Sequence, residues 1–131
     1  MLNEREMDIL SILWGTDEAM TAMDIVNAKK GLTQSTVTAV IRKMLNAGWV
    51  DAVGVTHSGK VLSRTYRPTE ASINAILNHF KEFYQSASNI FTPSEMCINI
   101  LKMSEDKDKT KQEIAKLKKI IREYQKKEND E

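Results

Sequence analysis

The stretch from Thr33 to Gly48 constrains the fold more than any other. Within it Val37, Val40, Ile41, Met44 and Leu45 fall at i, i+3, i+4, i+7 and i+8, which places all five on one side of an α-helix. Thr33 supplies a capping hydroxyl ahead of the run, and Asn46-Ala47-Gly48 supplies a stop. From Trp49 to Pro68 the helical period fails. Trp49, Val50, Val53 and Val55, then Val61, Leu62, Thr65 and Tyr66, form two β-rich runs around Thr56-His57-Ser58-Gly59-Lys60, which predicts a β-hairpin with a polar, cationic tip. Two shorter helices precede this block. Asn3 with Glu6 has the spacing of a capping box ahead of Met7, Leu10, Leu13 and Trp14, stopping near Gly15. Thr21 with Asp24 repeats the signal ahead of Ala22, Ile25 and Val26, ending near Lys30-Gly31. Helix, helix, helix and hairpin in this order describe a winged helix-turn-helix.

Beyond Pro68 the pattern is helical again. Thr69 opens a long helix carrying Ile73, Ile76, Leu77, Phe80 and Tyr84, and Thr92-Pro93-Ser94-Glu95 starts another through Met96, Ile98, Ile100, Leu101 and Met103. The charged segment Ser104 to Thr110 reads as a connection to a last helix with Ile114, Leu117, Ile121 and Tyr124 on one side. The polar end, Lys126 to Glu131, reads as frayed. A seam barely two heptads long is no self-sufficient coiled coil, so it packs either on the chain's own helices or on a second subunit. The expected architecture is therefore mainly α: a winged helix-turn-helix domain over residues 1–68 and a C-terminal helical dimerisation domain over residues 69–131. Ile73, Leu77, Phe80, Tyr84, Leu101, Ile114, Leu117 and Ile121 are the candidate dimer contacts.

With 131 residues, 41% of them hydrophobic, the chain suits one ordinary domain or a small domain with an appended helical segment, not a large enzyme. No apolar run approaches the roughly 18–20 residues of a membrane span, and the start, MLNEREMD, lacks the pattern of a signal peptide, so a cytoplasmic protein is expected. The single cysteine, Cys97, excludes an intrachain disulfide and a multi-thiolate metal site. It reads as a small buried hydrophobe in an apolar helix, with a reactive or intermolecular thiol as the alternative. His57 and His79 are close neither to it nor to each other, and no metal or cofactor is expected. No nucleophile, base and orienting group stand at a recognisable spacing, nor does a glycine loop for phosphate, so the sequence does not read as an enzyme.

The net charge of +1 hides a segregation. Residues 1–28 hold one cation against six acids, whereas residues 29–67 hold seven cations against Asp51 alone. On a helical wheel the side of the Thr33–Gly48 helix opposite its apolar stripe carries Gln34, Ser35, Thr38, Ala39 and Arg42, with Lys43 and Asn46 toward one edge, and no acid. Such a face suits the DNA major groove: Gln34 can read adenine, Ser35 and Thr36 can bond phosphates or base edges, Ala39 can touch a thymine methyl, and Arg42 or Lys43 can neutralise backbone charge. Lys60 at the hairpin tip, His57 near it and Arg64 on the return strand can reach phosphates beside that groove. A winged module that serves as a protein-interaction adaptor, without engaging DNA, is the alternative.

These residues resemble the penicillinase repressor family, the BlaI/MecI-like proteins with their relative CopY. The resemblance lies in Glu6-Met7-Asp8-Ile9-Leu10-Ser11-Ile12-Leu13-Trp14, in the run from Ser35 to Val50, and in Tyr66-Arg67-Pro68. It implies a homodimeric transcriptional repressor on a palindromic double-stranded DNA operator, with interlocking C-terminal helices. In antibiotic-responsive members a sensor-linked protease cuts these helices after an Asn. The nearest local match is Asn99-Ile100, whose second residue departs from the expected aromatic. CopY-like metal release needs a cysteine cluster that this chain lacks, and Ser35 and Thr38 are less basic than the resemblance leads one to expect, which leaves the operator sequence open.

Overall fold

Capping side chains mark where most of the helices begin in the computed structural model, which describes residues 2–130. Helix α1 (Glu4–Trp14) is capped by Asn3, whose Oδ1 accepts the Glu6 N–H at 2.8 Å while Glu6 Oε1 accepts the Asn3 N–H at 3.3 Å. Thr21 and Asp24 form the same reciprocal pair ahead of α2 (Ala22–Ala28). Helix α3 (Gln34–Ala47) starts on Thr33, whose hydroxyl accepts the Thr36 N–H at 3.2 Å, and stops at Gly48, where φ is 79°. There the Trp49 N–H turns back to the Met44 carbonyl at 2.9 Å. The apolar stripes converge as their periods require: Ile9, Leu10 and Leu13 of α1, Ile25 of α2 and Val37, Ile41 and Met44 of α3 are all buried in one core.

Strands β1 (Val50–Ser58) and β2 (Val61–Pro68) pair antiparallel from Val50 opposite Pro68 to Ser58 opposite Val61. Thr56 and His57, expected in the loop, are paired with Ser63 and Leu62, so the tip contracts to Gly59-Lys60. Gly59 has φ 66°, which a two-residue turn between twisted strands requires and a side chain would oppose. The register slips between Ala52 and Gly54, leaving Val53 as a bulge. The chain between α1 and α2 adds a short bridge: Met20 and Tyr66 exchange backbone hydrogen bonds at 3.1 and 2.8 Å. Next to it Arg67 Nη1 donates to the carbonyls of Thr16 at 2.5 Å and Glu18 at 3.1 Å, with Leu13 at 3.4 Å. The last of these is an orphan acceptor of the C-terminal turn of α1.

Helix α4 (Glu70–Ala87) grows out of this assembly. Thr69 Oγ1 donates to the Gly48 carbonyl at 2.6 Å, and the buried Ser72 hydroxyl accepts Trp14 Nε1–H at 2.9 Å while donating to the Thr69 carbonyl at 2.6 Å. Ala75 and Ile76 pack against the core. The chain accordingly divides into two compact units, one running to Tyr84 and the other from Gln85, later than the 68/69 boundary read from the sequence. The reason is Ser72 and its neighbours, which bind the first half of α4 to the winged unit.

In the second unit α5 (Pro93–Lys102) has the Thr92/Glu95 box and Pro93 at its first turn. Helix α6 (Lys107–Asn129) is capped by Asp106, which accepts the N–H groups of Asp108 and Lys109. The connection anticipated over Ser104–Thr110 is therefore shorter, because one of its acids serves as a cap. The helix also continues through most of the expected frayed end, to Asn129; Glu131 lies outside the described residues. Among the described residues none of α5 or α6 is buried, and Cys97 is exposed, contrary to the buried hydrophobe expected. The single chain gives α5 no core to bury it in. Leu101, Ile114 and Leu117 are half-buried and Ile121 is exposed; on α4, Ile73 and Tyr84 are half-buried while Leu77 and Phe80 are exposed.

Candidate nucleic-acid interface

The outward side of α3 is built by the same spacing that buries its stripe. Gln34, Ser35, Thr38, Ala39 and Arg42 line one shallow concavity on it. Thr38 and Arg42 also line the adjoining concavity, together with Arg64 and Tyr66 of β2. The face of the helix thus runs without interruption onto the hairpin. Opposed residues of an antiparallel ladder share a side of the sheet, and Val55 opposes Arg64 while His57 opposes Leu62. His57, Val55 and Leu62 therefore lie on the side of the hairpin that Arg64 turns toward α3. Tyr66, Val55 and Leu62 were read from the sequence as strand residues and not as site residues; pairing register was the missing signal, since without it the two sides of the strands cannot be assigned.

The charge of this surface is smaller and better directed than its sequence suggests. Of the seven cations between residues 29 and 67, Lys29 pairs with Asp8 at 2.6 Å, Lys43 pairs with Glu6 at 2.9 Å, and Arg67 is spent on backbone carbonyls. Lys30, Arg42, Lys60 and Arg64 have no carboxylate within ion-pair distance among the described residues. Lys43 was expected on the DNA face, and the structure turns its ammonium toward the fully buried Glu6 instead. Thr36 is also off that face: it is half-buried, and its Oγ1 accepts the Thr33 hydroxyl at 2.9 Å. Lys60 sits at the hairpin tip. The first turn of α3 carries no acid, so its positive dipole end meets only hydroxyl and amide side chains. Among the described residues no group of three His, Cys, Asp or Glu side chains could hold a metal, and no helix is long and apolar enough to cross a membrane.

Three helices, a hairpin and an exposed, acid-free third helix flanked by arginines define a winged-helix DNA-binding regulator. The penicillinase repressor family matches residues 2–123, and the chain belongs to that family. It is a DNA-binding transcriptional repressor. Solved structures agree on the fold. A mutant of MepR from a multidrug-resistant S. aureus clinical isolate is similar over 95% of this chain and 80% of its own, at 17% identity and a TM-score of 0.53. RosR of H. salinarum is similar over 76% of this chain and 90% of its own, at 15% identity and a TM-score of 0.52. At such identities the likeness concerns the fold alone. No curated protein matches by sequence.

Proposed function

We propose that the chain represses transcription as a homodimer, each winged unit laying α3 in the major groove of one half of a palindromic operator. The observation that carries this reading is the continuous surface from Gln34 through Arg42 to Arg64, which holds hydrogen-bonding and cationic groups and no acid among the residues that line it. Gln34, Ser35, Thr38 and Ala39 meet base edges, while Arg42, Arg64 and Lys60 meet phosphates, with His57 beside them. The second subunit is argued from the apolar surface left uncovered. Leu77 and Phe80 of α4 are exposed, as are Ile98, Ile121 and Tyr124 in a second unit whose described helices α5 and α6 bury no residue, and large apolar side chains on helix faces that bury nothing favour association. A second copy of the same helices covers them isologously.

The controlled genes fit an antibiotic- or stress-responsive regulon by family, and a sensor-linked protease acting at Asn99-Ile100 fits the same family. That bond lies inside α5, with the Asn99 side chain donating to the Glu95 carbonyl at 2.8 Å, so cleavage requires the helix to open first. A mobility-shift titration on DNA from the chain's own promoter tests the DNA reading. Three cations per subunit set against phosphate, Arg42, Lys60 and Arg64, and two subunits, set a slope of log K against log salt of about −5. Binding that ignores salt, or a monomer at micromolar concentration, refutes it.

A further inference from the structure

The hairpin carries two apolar side chains that the reading above leaves unused. Val55 is 67% exposed and Leu62 is 62% exposed, and among the described residues neither joins the core. Val55 stands opposite Arg64 and Leu62 opposite His57, so the two are diagonal neighbours, with Cα atoms about 7 Å apart, on the side of the hairpin that Arg64 turns toward α3. Strand preference alone accounts for an exposed valine. It does not account for Leu62, because leucine is not among the residues that strands favour. Both edges of a two-stranded sheet are open, and apolar side chains on such a projection are a liability in water unless something covers them.

Continuity and the order of charge identify the cover. The concavity shared by Thr38, Arg42, Arg64 and Tyr66 joins the hairpin to α3, so a duplex that holds α3 in its major groove passes Arg64 and then meets this pair. Along β2 the order outward is Arg64, Leu62 and, at the tip, Lys60: cation, apolar, cation. At about 3.3 Å per residue Arg64 and Lys60 lie about 13 Å apart along the strand. A duplex presents the matching order across its minor groove, which is phosphate, sugar wall, phosphate, over about 6 Å of groove with about 3 Å of phosphate on each side. The cations answer the two phosphate rows. The sugar edges between them are uncharged and largely C–H, and an apolar side chain covers a C–H edge without leaving a donor or acceptor unpaired.

We propose that Val55 and Leu62 of each subunit seat on the deoxyribose wall of the minor groove next to the half-site that α3 occupies, a contact that adds affinity without adding salt dependence or base choice. The proposal rests on the repressor reading and is tested so that the two fail separately. Hydroxyl-radical footprinting is the readout, because the radical cuts at sugars left open in the minor groove. On DNA from the chain's own promoter the full chain is expected to protect the half-sites and, beside each, the sugars of the flanking minor groove. Val55→Thr with Leu62→Thr keeps strand-forming side chains at two exposed positions, so this protein is expected to melt like its parent. It should lose protection at the flanking sugars alone and bind about tenfold more weakly, with the salt slope unchanged. Leu62→Ile, which keeps the apolar area, should keep the flanking protection. Protected half-sites beside open flanking sugars in the parent, or a double variant with the parent's footprint and affinity, overturns the proposal. A double variant whose oligomeric state changes in light scattering overturns it too and assigns the pair to a contact between copies. A parent that protects no DNA fails the repressor reading, and this proposal with it.

Discussion

Replacing Lys43 and Arg42 one at a time by Ala separates two cations that stand next to each other in the sequence and do different work. Glu6 is 0% exposed, and its Oε1 is held by Lys43 and the Asn3 N–H while Oε2 has no partner among the described residues. Lys43→Ala therefore strands a buried carboxylate. Removing one member of a fully buried pair costs about 3–5 kcal/mol, but the Lys43 side chain is 60% exposed, and water reaching the vacated position recovers part of that. A loss of about 1–3 kcal/mol is expected, which lowers the Tm of a domain of this size by about 5–15 °C. The slope of DNA affinity against salt should stay as in the parent, because the Lys43 ammonium is engaged by Glu6. Arg42→Ala should do the reverse: stability within about 0.5 kcal/mol of the parent, and a salt slope reduced by about 0.9 for each subunit bound. Calorimetry gives the first quantity and mobility shifts across a salt series give the second. A Lys43→Ala protein that melts like its parent and loses salt dependence would refute the assignment of Lys43 to Glu6.

Three further outcomes follow from the same geometry. Gly48→Ala meets no atom within 4 Å, so its cost is the backbone's alone, about 1–2 kcal/mol for a left-handed residue, read by denaturant melting. Leu117→Asp with Ile121→Asp should yield a monomer by light scattering and abolish operator binding while leaving the winged unit's melting intact; a dimer that persists sinks the proposed seam. If α5 must open before the Asn99-Ile100 bond is cut, then Thr92→Ala, which removes the cap of α5 and costs about 1 kcal/mol of its stability, should speed proteolysis in extract from induced cells. Equal rates would show that helix opening does not gate the cut.

What could be read in advance was local. Asn3 with Glu6, Thr21 with Asp24, and Thr92 with Glu95 all cap the helices they precede, because a capping box closes within four residues and needs no tertiary partner. The exposed face of α3 was legible for the same reason, since the stripe that buries Val37, Ile41 and Met44 determines its opposite. The pairing of Lys43 was not legible because its partner is 37 residues away, and a wheel of one helix cannot show a carboxylate belonging to another. The sharing of α4 between the two units was hidden in the same way: it depends on a hydrogen bond from Trp14 to Ser72, 58 residues apart. Acids near a helix start misled in the opposite direction, for Asp106 in a charged stretch looked like linker and is a cap.

Arg67 ties the root of the hairpin to the far end of the first helix, while among the described residues nothing comparable restrains the paired positions near Gly59. The projection behaves like a lever clamped at its base. Its stem cannot swivel without uncovering carbonyl oxygens, so sideways freedom grows only with distance from the clamp. On the proposed reading, a duplex whose outlying segment is slightly bent or widened can then be followed by Lys60 at little cost, whereas the angle at which Arg64 and Arg42 approach the central phosphates does not adjust. Tolerance at the edges of a binding sequence and strictness at its centre would both come from that one guanidinium.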